Sequence, residues 1–588
     1  MSLQFFKKSW VLLFLIVLLA AVLRFYQLGS NPPSLTWDEV AWGYNAYAIG
    51  TDGRDEFGKF LPYTSFVSFG DYKPPVYAYL TVVPVWLFGL TAFAVRFPSA
   101  LFGTLTVLVT YFLVKELFVS ENFEDSENRK IGRSEDRKNR SGFPVNLKFW
   151  HAELSEFSEY VALTAALIMA LSPWHIMLSR AAFEANVASF FIACGVWLFL
   201  FALRRTPMLL ALSVFCFAAS VYTFNSTRVV APILFALLVA GHIKSLVEIK
   251  KATIISFIFG VILLAPIAPF LLSPQARLRY QEVNIFSDLD VITTANQEIA
   301  NDHDIWWSKI IHNRRVAYAQ DFLEHYFDNL NPSFLFVKGD PNPKFSTQDV
   351  GQMYLWDLPF FVIGILFLFR QRRGNWWIIP VWLLVGIIPA AVARETPHAL
   401  RTEVTLPTWQ ILTAYGFVTV VLAIKRYQKM IITGLLVILF LFVGYYLHGY
   451  YTYYPKEYSL EWQYGYKQVI SYIADHQQKY DHIYISGMGR GYIYTLFYLK
   501  YPPQKFRDIA KVYDDGFGFV HVAEFDKYSF IDEPGDAKTD FHSLYIAESD
   551  KLPSNAVVLQ KFYTLDGVTV LTAYKLKPPK VRVISTSL

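Results

Sequence analysis

Cysteine is almost absent. The 588 residues hold two, Cys194 and Cys216, and both lie in apolar runs. Neither can staple an outside domain, so no disulfide framework is expected. Charge is also scarce: Asp, Glu, Lys and Arg together make up 17%, against roughly a quarter in soluble domains. That shortage disfavours a soluble globular enzyme, a disordered chain and a nucleic-acid-binding domain. No His-x-x-x-His pair and no cysteine pair occurs, so no metal site is motivated; no cofactor is called for, and use of a divalent metal stays open. The first apolar run follows Lys7 and Lys8 without a small-residue cleavage motif behind it. It reads as an uncleaved first helix.

Apolar and aromatic residues are abundant. Hydrophobic residues reach 54% and aromatic ones 18%, with 51 Phe, 37 Tyr and 15 Trp. This is the composition of a polytopic membrane protein with many interfacial rings. A spanning helix needs about 20 mostly apolar residues. Candidates are 9–28, 99–118, 159–178, 187–203, 207–224, 229–243, 252–272, 355–370, 376–393, 406–424 and 430–448, about eleven by that length criterion. The run 75–92 is short, opens at Pro74-Pro75 and contains Pro84.

The positive-inside rule decides how 75–92 is read. If it lies along the interface and Lys7-Lys8 are cytoplasmic, the short inside loops carry four basic clusters. These are Arg204-Arg205, then Lys244, Lys250 and Lys251, then Arg370, Arg372 and Arg373, then Lys425, Arg426 and Lys429. A spanning 75–92 would move every cluster outside, so the interfacial reading is preferred. The expected chain is a multi-pass plasma-membrane protein. Its transmembrane domain is 1–450, with a charged cytoplasmic insertion at 119–158 and a long outer loop at 273–354. A small extracytoplasmic α/β domain follows at 451–588. Within the outer loop, Trp306 to Tyr326 repeat apolar residues at helical spacing, as in an amphipathic surface helix. In the last domain, 482–486, 556–562 and 567–575 read as strands. The Gly487-Met488-Gly489-Arg490-Gly491 segment reads as a tight turn, and as a phosphate-binding loop only weakly.

This topology gathers polar residues at the outer membrane boundary. The first outer loop holds Trp37-Asp38-Glu39, and Asp71-Tyr72-Lys73-Pro74-Pro75 opens the interfacial segment. Adjacent carboxylates at a membrane boundary are costly unless hydrated, paired or used. The structural alternative is a helix cap by Asp38 and a snorkelling Lys73. Other outer helix ends carry Arg180 with Glu184, Asn225 to Arg228, and Arg394 to Arg401 with His398. Arg180, Arg228 and Arg401 with Lys73 suit an anionic ligand. Asp71, Tyr72, Tyr222, Glu184 and His398 are candidate substrate-binding residues.

The Asp-Glu pair followed by a Lys-Pro-Pro interfacial helix resembles the GT-C membrane glycosyltransferases. The order continues with Arg96-Phe97-Pro98-Ser99-Ala100-Leu101-Phe102-Gly103 and Ser172-Pro173-Trp174-His175. It is similar to the glycosyltransferase family 39-like branch of protein O-mannosyltransferases and the lipid A aminoarabinose transferase. The resemblance covers residues 9 to 450 or so and not the tail. It implies a polyprenyl-phosphate-linked sugar donor and a protein, lipid or glycan acceptor outside the membrane. By resemblance Asp38 is the catalytic carboxylate and Lys73 lies near the donor phosphate; adjacent helix residues diverge by about 100°, so Glu39 is read as orienting Asp38 or binding sugar hydroxyls. The competing classes are a secondary transporter and a lipid-sugar binding or flipping protein. A transporter calls for repeats and polar residues at the bilayer midplane, and a flipping protein has no need of the Asp-Glu pair.

Overall fold

The computed structural model describes residues 3–68, 71–118, 154–424, 426–514 and 520–577. The charged insertion expected at 119–158 lies, up to residue 153, outside the described residues. The chain forms two compact units, one of residues 1–26, 99–272 and 280–447, the other of 27–98, 273–279 and 448–588.

The first unit is helical. Each apolar run named above is occupied by a helix, beginning with α1 (Leu3–Phe25). Five helices among the described residues are individually long and apolar enough to cross a membrane. One expected span, 159–178, is broken within its length, and a second, 406–424, is preceded by a bent short helix. Glu156–Leu171 and Pro173–Ser179 meet at 56°, and Ala399–Thr405 and Thr408–Ala423 at 60°. Pro173 and Pro407 explain the breaks: each removes an amide donor and crowds the preceding turn. The helix Asp357–Gln371 packs along Thr408–Ala423 with glycine on both sides. A Cβ on Gly364 would stand 1.9 Å from the Leu412 carbonyl oxygen, and one on Gly416 1.9 Å from that of Phe360. Small residues allow such close backbone approach between apolar helices. Phe257, Ile262, Phe440 and Leu441 remain exposed, as lipid-facing side chains do.

The second unit joins the first outer loop to the C-terminal segment. It contains α2 (Trp37–Asp52), a hairpin of β1 (Phe66–Ser68) and β2 (Asp71–Lys73), and α3 (Val76–Phe88). It also contains the N-terminal end of α4 (Ala92–Leu117). α3 has 13 residues, about 20 Å of helix, well short of a hydrocarbon core of about 30 Å. One face, with Tyr77, Ala78, Thr81 and Val85, is buried; Val83, Trp86, Leu87 and Phe88 are exposed on the other.

The tail adds a seven-stranded sheet. Its strands are β3 (Ile483–Ile485), β4 (Lys511–Asp514), β5 (Val520–Phe525), β6 (Tyr528–Phe530), β7 (Leu544–Glu548), β8 (Ala556–Tyr563) and β9 (Thr569–Leu576). The spatial order is β4-β5-β6-β3-β7-β9-β8. β3 runs parallel to both neighbours, β6 and β7. The remaining pairs are antiparallel. Tyr484, Tyr545 and Tyr574 stack across the sheet. The helix Gly491–Tyr498 packs on α2 where α2 has no side chain: a Cβ on Gly43 would lie 2.4 Å from Phe497 and 2.7 Å from Val95.

Candidate active site

α2 begins with a capping box. Thr36, not Asp38, is the N-cap; its hydroxyl accepts from the Glu39 amide, and Glu39 Oε2 accepts from the Thr36 amide at 3.0 Å. Two orphan amides of the first turn are satisfied this way. Asp38 and Glu39 are consecutive on the helix, so their side chains diverge by about 100°. They enter different environments.

Glu39 turns inward and is 1% exposed; Arg96, near the start of α4, is fully buried. The guanidinium donates Nε to Glu39 Oε1 at 2.7 Å and Nη2 to Oε2 at 3.1 Å. Its other N–H groups reach the carbonyls of Leu28, Pro32 and Ser34. Every guanidinium donor is used, as a buried charge requires. The pair therefore fixes the 28–36 segment to the start of α2.

Asp38 turns outward, and its side chain is 49% exposed. Its Oδ1 accepts from the Lys73 ammonium, whose side chain is 11% exposed. Lys73 ends β2, opposite Phe66 in the hairpin register, with Tyr72 opposite Val67 and Asp71 opposite Ser68. Pro74 and Pro75 follow and restrict the backbone before α3. The Lys73 ammonium also lies 5.3 Å from the centre of the Trp42 ring, a cation–π contact one turn along α2 from Asp38. An exposed carboxylate and a nearly buried cation thus share one edge of the helix start.

A second carboxyl group nearby had no sequence signal. Glu56 follows α2 and is fully buried. Its amide donates to Asn45 Oδ1 at 3.0 Å, and its Oε1 accepts from the Tyr492 hydroxyl at 3.3 Å. Burial, followed by the Asp55 charge, raises its pKa well above the carboxylate range, while Tyr492, Lys73 and Asn45 pull it down. A carboxyl group raised in the fold stabilises it at low pH and loses that contribution as pH rises through the folded-state value. Glu56→Gln is therefore expected to gain stability relative to wild type from about pH 4.3, the ordinary Glu value, upward. Unfolding temperatures measured in detergent across pH 4 to 9 check this. A difference independent of pH would contradict a buried neutral Glu56.

The remaining expected residues belong to the helical unit. Arg180 is buried and donates Nη1 to the carbonyls of Leu23 at 2.8 Å and Arg24 at 3.2 Å, at the end of α1. Arg24 bonds His175 Nδ1 at 2.6 Å and the carbonyls of Met169 and Ala170. Arg228 lies over Phe270. Tyr222 donates to the Leu263 carbonyl at 2.7 Å, and Glu184 opens the helix Glu184–Arg204. His398 stacks near Phe345, with Nε2 3.7 Å from Glu395. Arg401 is on the same short helix as Ala399, whose amide donates to Asp340 at 2.6 Å. Burial first, and then the Glu395 charge, raise the Asp340 pKa to about 7, with Arg401 acting to lower it. Within the helical unit His398 is the N-cap of the short helix that carries Arg401, while Arg180 and Tyr222 are bound to backbone carbonyls. Among the described residues no group of three or more His, Cys, Asp and Glu could hold a metal ion.

Residues 14–123, which carry the C-terminal half of α1, the Asp-Glu pair, Lys73 and Arg96, match the family model for dolichyl-phosphate-mannose-protein mannosyltransferase. The fold matches ArnT from Cupriavidus metallidurans in the apo state, with a TM-score of 0.51 at 10% identity, over 96% of this chain and 98% of that one. ArnT bound to undecaprenyl phosphate aligns with a TM-score of 0.48 at 12% identity, over the same 96% and 98%. The archaeal oligosaccharyltransferase AglB from Archaeoglobus fulgidus, in complex with an inhibitory peptide and a dolichol-phosphate, aligns at 0.44 and 12% identity, over 84% of this chain and 64% of that one. No curated protein matches the chain in sequence. The chain thus has the fold of ArnT, and its residues 14–123 match a mannosyltransferase family model.

Proposed function

We propose that the chain transfers a sugar, with inversion, from a polyprenyl-phosphate-linked donor to an acceptor at the outer face of the membrane. The observation that carries this reading is the split of the Asp-Glu pair. Glu39 is consumed by Arg96, and Asp38 is left at an accessible edge beside Lys73. The family description supports the donor class, since a dolichyl-phosphate sugar is a polyprenyl-phosphate donor, and it makes a protein acceptor the first to try. In the proposed topology about eleven helical segments cross the membrane, several of them shorter than a full straight span. α3 lies along the outer interface on its exposed apolar face, and the C-terminal domain is outside.

The chemistry suits these residues. The acceptor attacks the anomeric carbon and gives its proton to Asp38. The bond from that carbon to the phosphate oxygen breaks, and the phosphate leaves with the electron pair. The phosphate is already a good leaving group, so fixed cations suffice to hold its charge. A single displacement inverts the anomeric centre, in contrast to a route through a covalent carboxylate intermediate. Before donor arrives, Lys73 neutralises Asp38. The donor phosphate competes for that ammonium, which releases the carboxylate to act as base.

Lys73→Ala tests the donor half of this reading. Hydrogen bonds to charged groups contribute about 1.5–3 kcal/mol, so donor affinity should fall by about 10- to 100-fold. The measurement is binding and KM for a synthetic polyprenyl-phosphate sugar in detergent. Unchanged affinity would remove Lys73 from the phosphate.

A further inference from the structure

The glycine-rich turn after β3 has a second feature besides tightness. Gly487 has φ of 70°, and a Cβ there would lie 2.6 Å from Glu548 Cγ. Arg490 has φ of 55°, a left-handed conformation uncommon for a residue with a side chain. The turn thereby brings the Arg490 guanidinium over the Trp37 ring, 5.3 Å from its centre. A Cβ on Gly489 would be 3.8 Å from the same ring. Trp37 immediately precedes Asp38. One turn past Arg490, the Tyr494 hydroxyl donates to the Leu35 carbonyl at 3.3 Å. Burial first, then neighbouring tyrosines and the Asp38 and Glu39 charges, hold that hydroxyl well above its ordinary pKa. The turn is thus seated on the first turn of α2, the element that presents Asp38.

Arg490 is exposed, and Trp37 and Asp38 are partly exposed. Behind them Glu39 is neutralised by Arg96. The first turn of α2 thus has Lys73 at Asp38 and Arg490 at the neighbouring Trp37. Two cations beside one helix start suit an anion. Stacking on the indole engages the flat face of a guanidinium, and its N–H edge is the part that grips phosphate oxygens.

We propose that Arg490, delivered by the C-terminal domain, is a second cation on the donor phosphate and makes the site specific for a phosphate-linked lipid. The proposal rests on the donor reading given above and adds a residue outside the matched segment 14–123. It also gives the C-terminal domain a part in donor recognition.

The test uses the full chain in detergent with undecaprenyl phosphate as probe and undecaprenol as its uncharged counterpart. Arg490→Ala is expected to bind undecaprenyl phosphate roughly 10-fold more weakly, to bind undecaprenol as wild type does, and to keep the wild-type unfolding temperature. Arg490→Lys should recover part of the loss. If Lys73→Ala loses the phosphate lipid and Arg490→Ala does not, Arg490 is not a phosphate ligand and the donor reading survives. If neither variant loses it, the donor reading falls and takes this proposal with it. Equal loss of undecaprenol binding in Arg490→Ala would show a packing role and overturn the proposal.

Discussion

Purified Asp38→Asn protein is expected to fold, to bind donor, and to transfer sugar at least about 100-fold more slowly than wild type, the lower end of the usual cost of losing a general base. The substitution keeps the shape of the side chain and its hydrogen-bonding reach but removes the basicity. The Asp38 carboxylate is the one of the pair that an acceptor can approach, because it is half exposed while Glu39 is not. The asparagine amide oxygen can still accept from the nearly buried Lys73 ammonium, so folding should survive loss of the ion pair. The variant should therefore separate chemistry from folding. Single-turnover transfer from a synthetic polyprenyl-phosphate sugar is the assay. Near-normal transfer would remove Asp38 as the base.

The second large effect is on stability. Arg96→Ala leaves Glu39 as a buried charge without its guanidinium, and breaking a buried pair costs about 3–5 kcal/mol. It also removes the bonds to Leu28, Pro32 and Ser34 that hold the entry to α2. A sharp drop in unfolding temperature and in yield of folded protein is expected. Arg96→Lys should recover only part, because an ammonium cannot span both Glu39 oxygens and three carbonyls together. Glu39→Gln should be milder in turnover than Asp38→Asn, since its effect passes through the position of α2. An Arg96→Ala protein as stable as wild type would contradict the structural role given to this pair.

The helices were legible because a lipid-facing helix must be apolar along its whole length, and that leaves a run of fixed size in the sequence. The breaks at Pro173 and Pro407 were less so: proline marks a weak point, but the bend angle depends on neighbouring helices. Asp38 and Lys73 were legible through their motifs. Their contact was not, because 35 residues and a hairpin separate them. Arg96 stood in a segment similar to the family, yet its partner is 57 residues away. Glu56 looked like one more charge in a polar turn, Asp55-Glu56-Phe57-Gly58, and only burial against Asn45 and Tyr492 distinguishes it. In the tail, β3, β8 and β9 were visible by alternation. The central, parallel place of β3 was not, since three-residue strands carry too little pattern to fix a partner.

The central claim is that this chain moves a sugar off a lipid phosphate with Asp38 as the base. The most direct measurement compares cells that make wild-type chain with cells that make Asp38→Asn at equal level, by mass spectrometry of their lipids, proteins and polyprenyl-phosphate sugars. The expected result is loss of one glycosylated product and accumulation of one lipid-phosphate sugar in the variant. Identical inventories of products and lipid-phosphate sugars, with the variant protein present and folded, would contradict it.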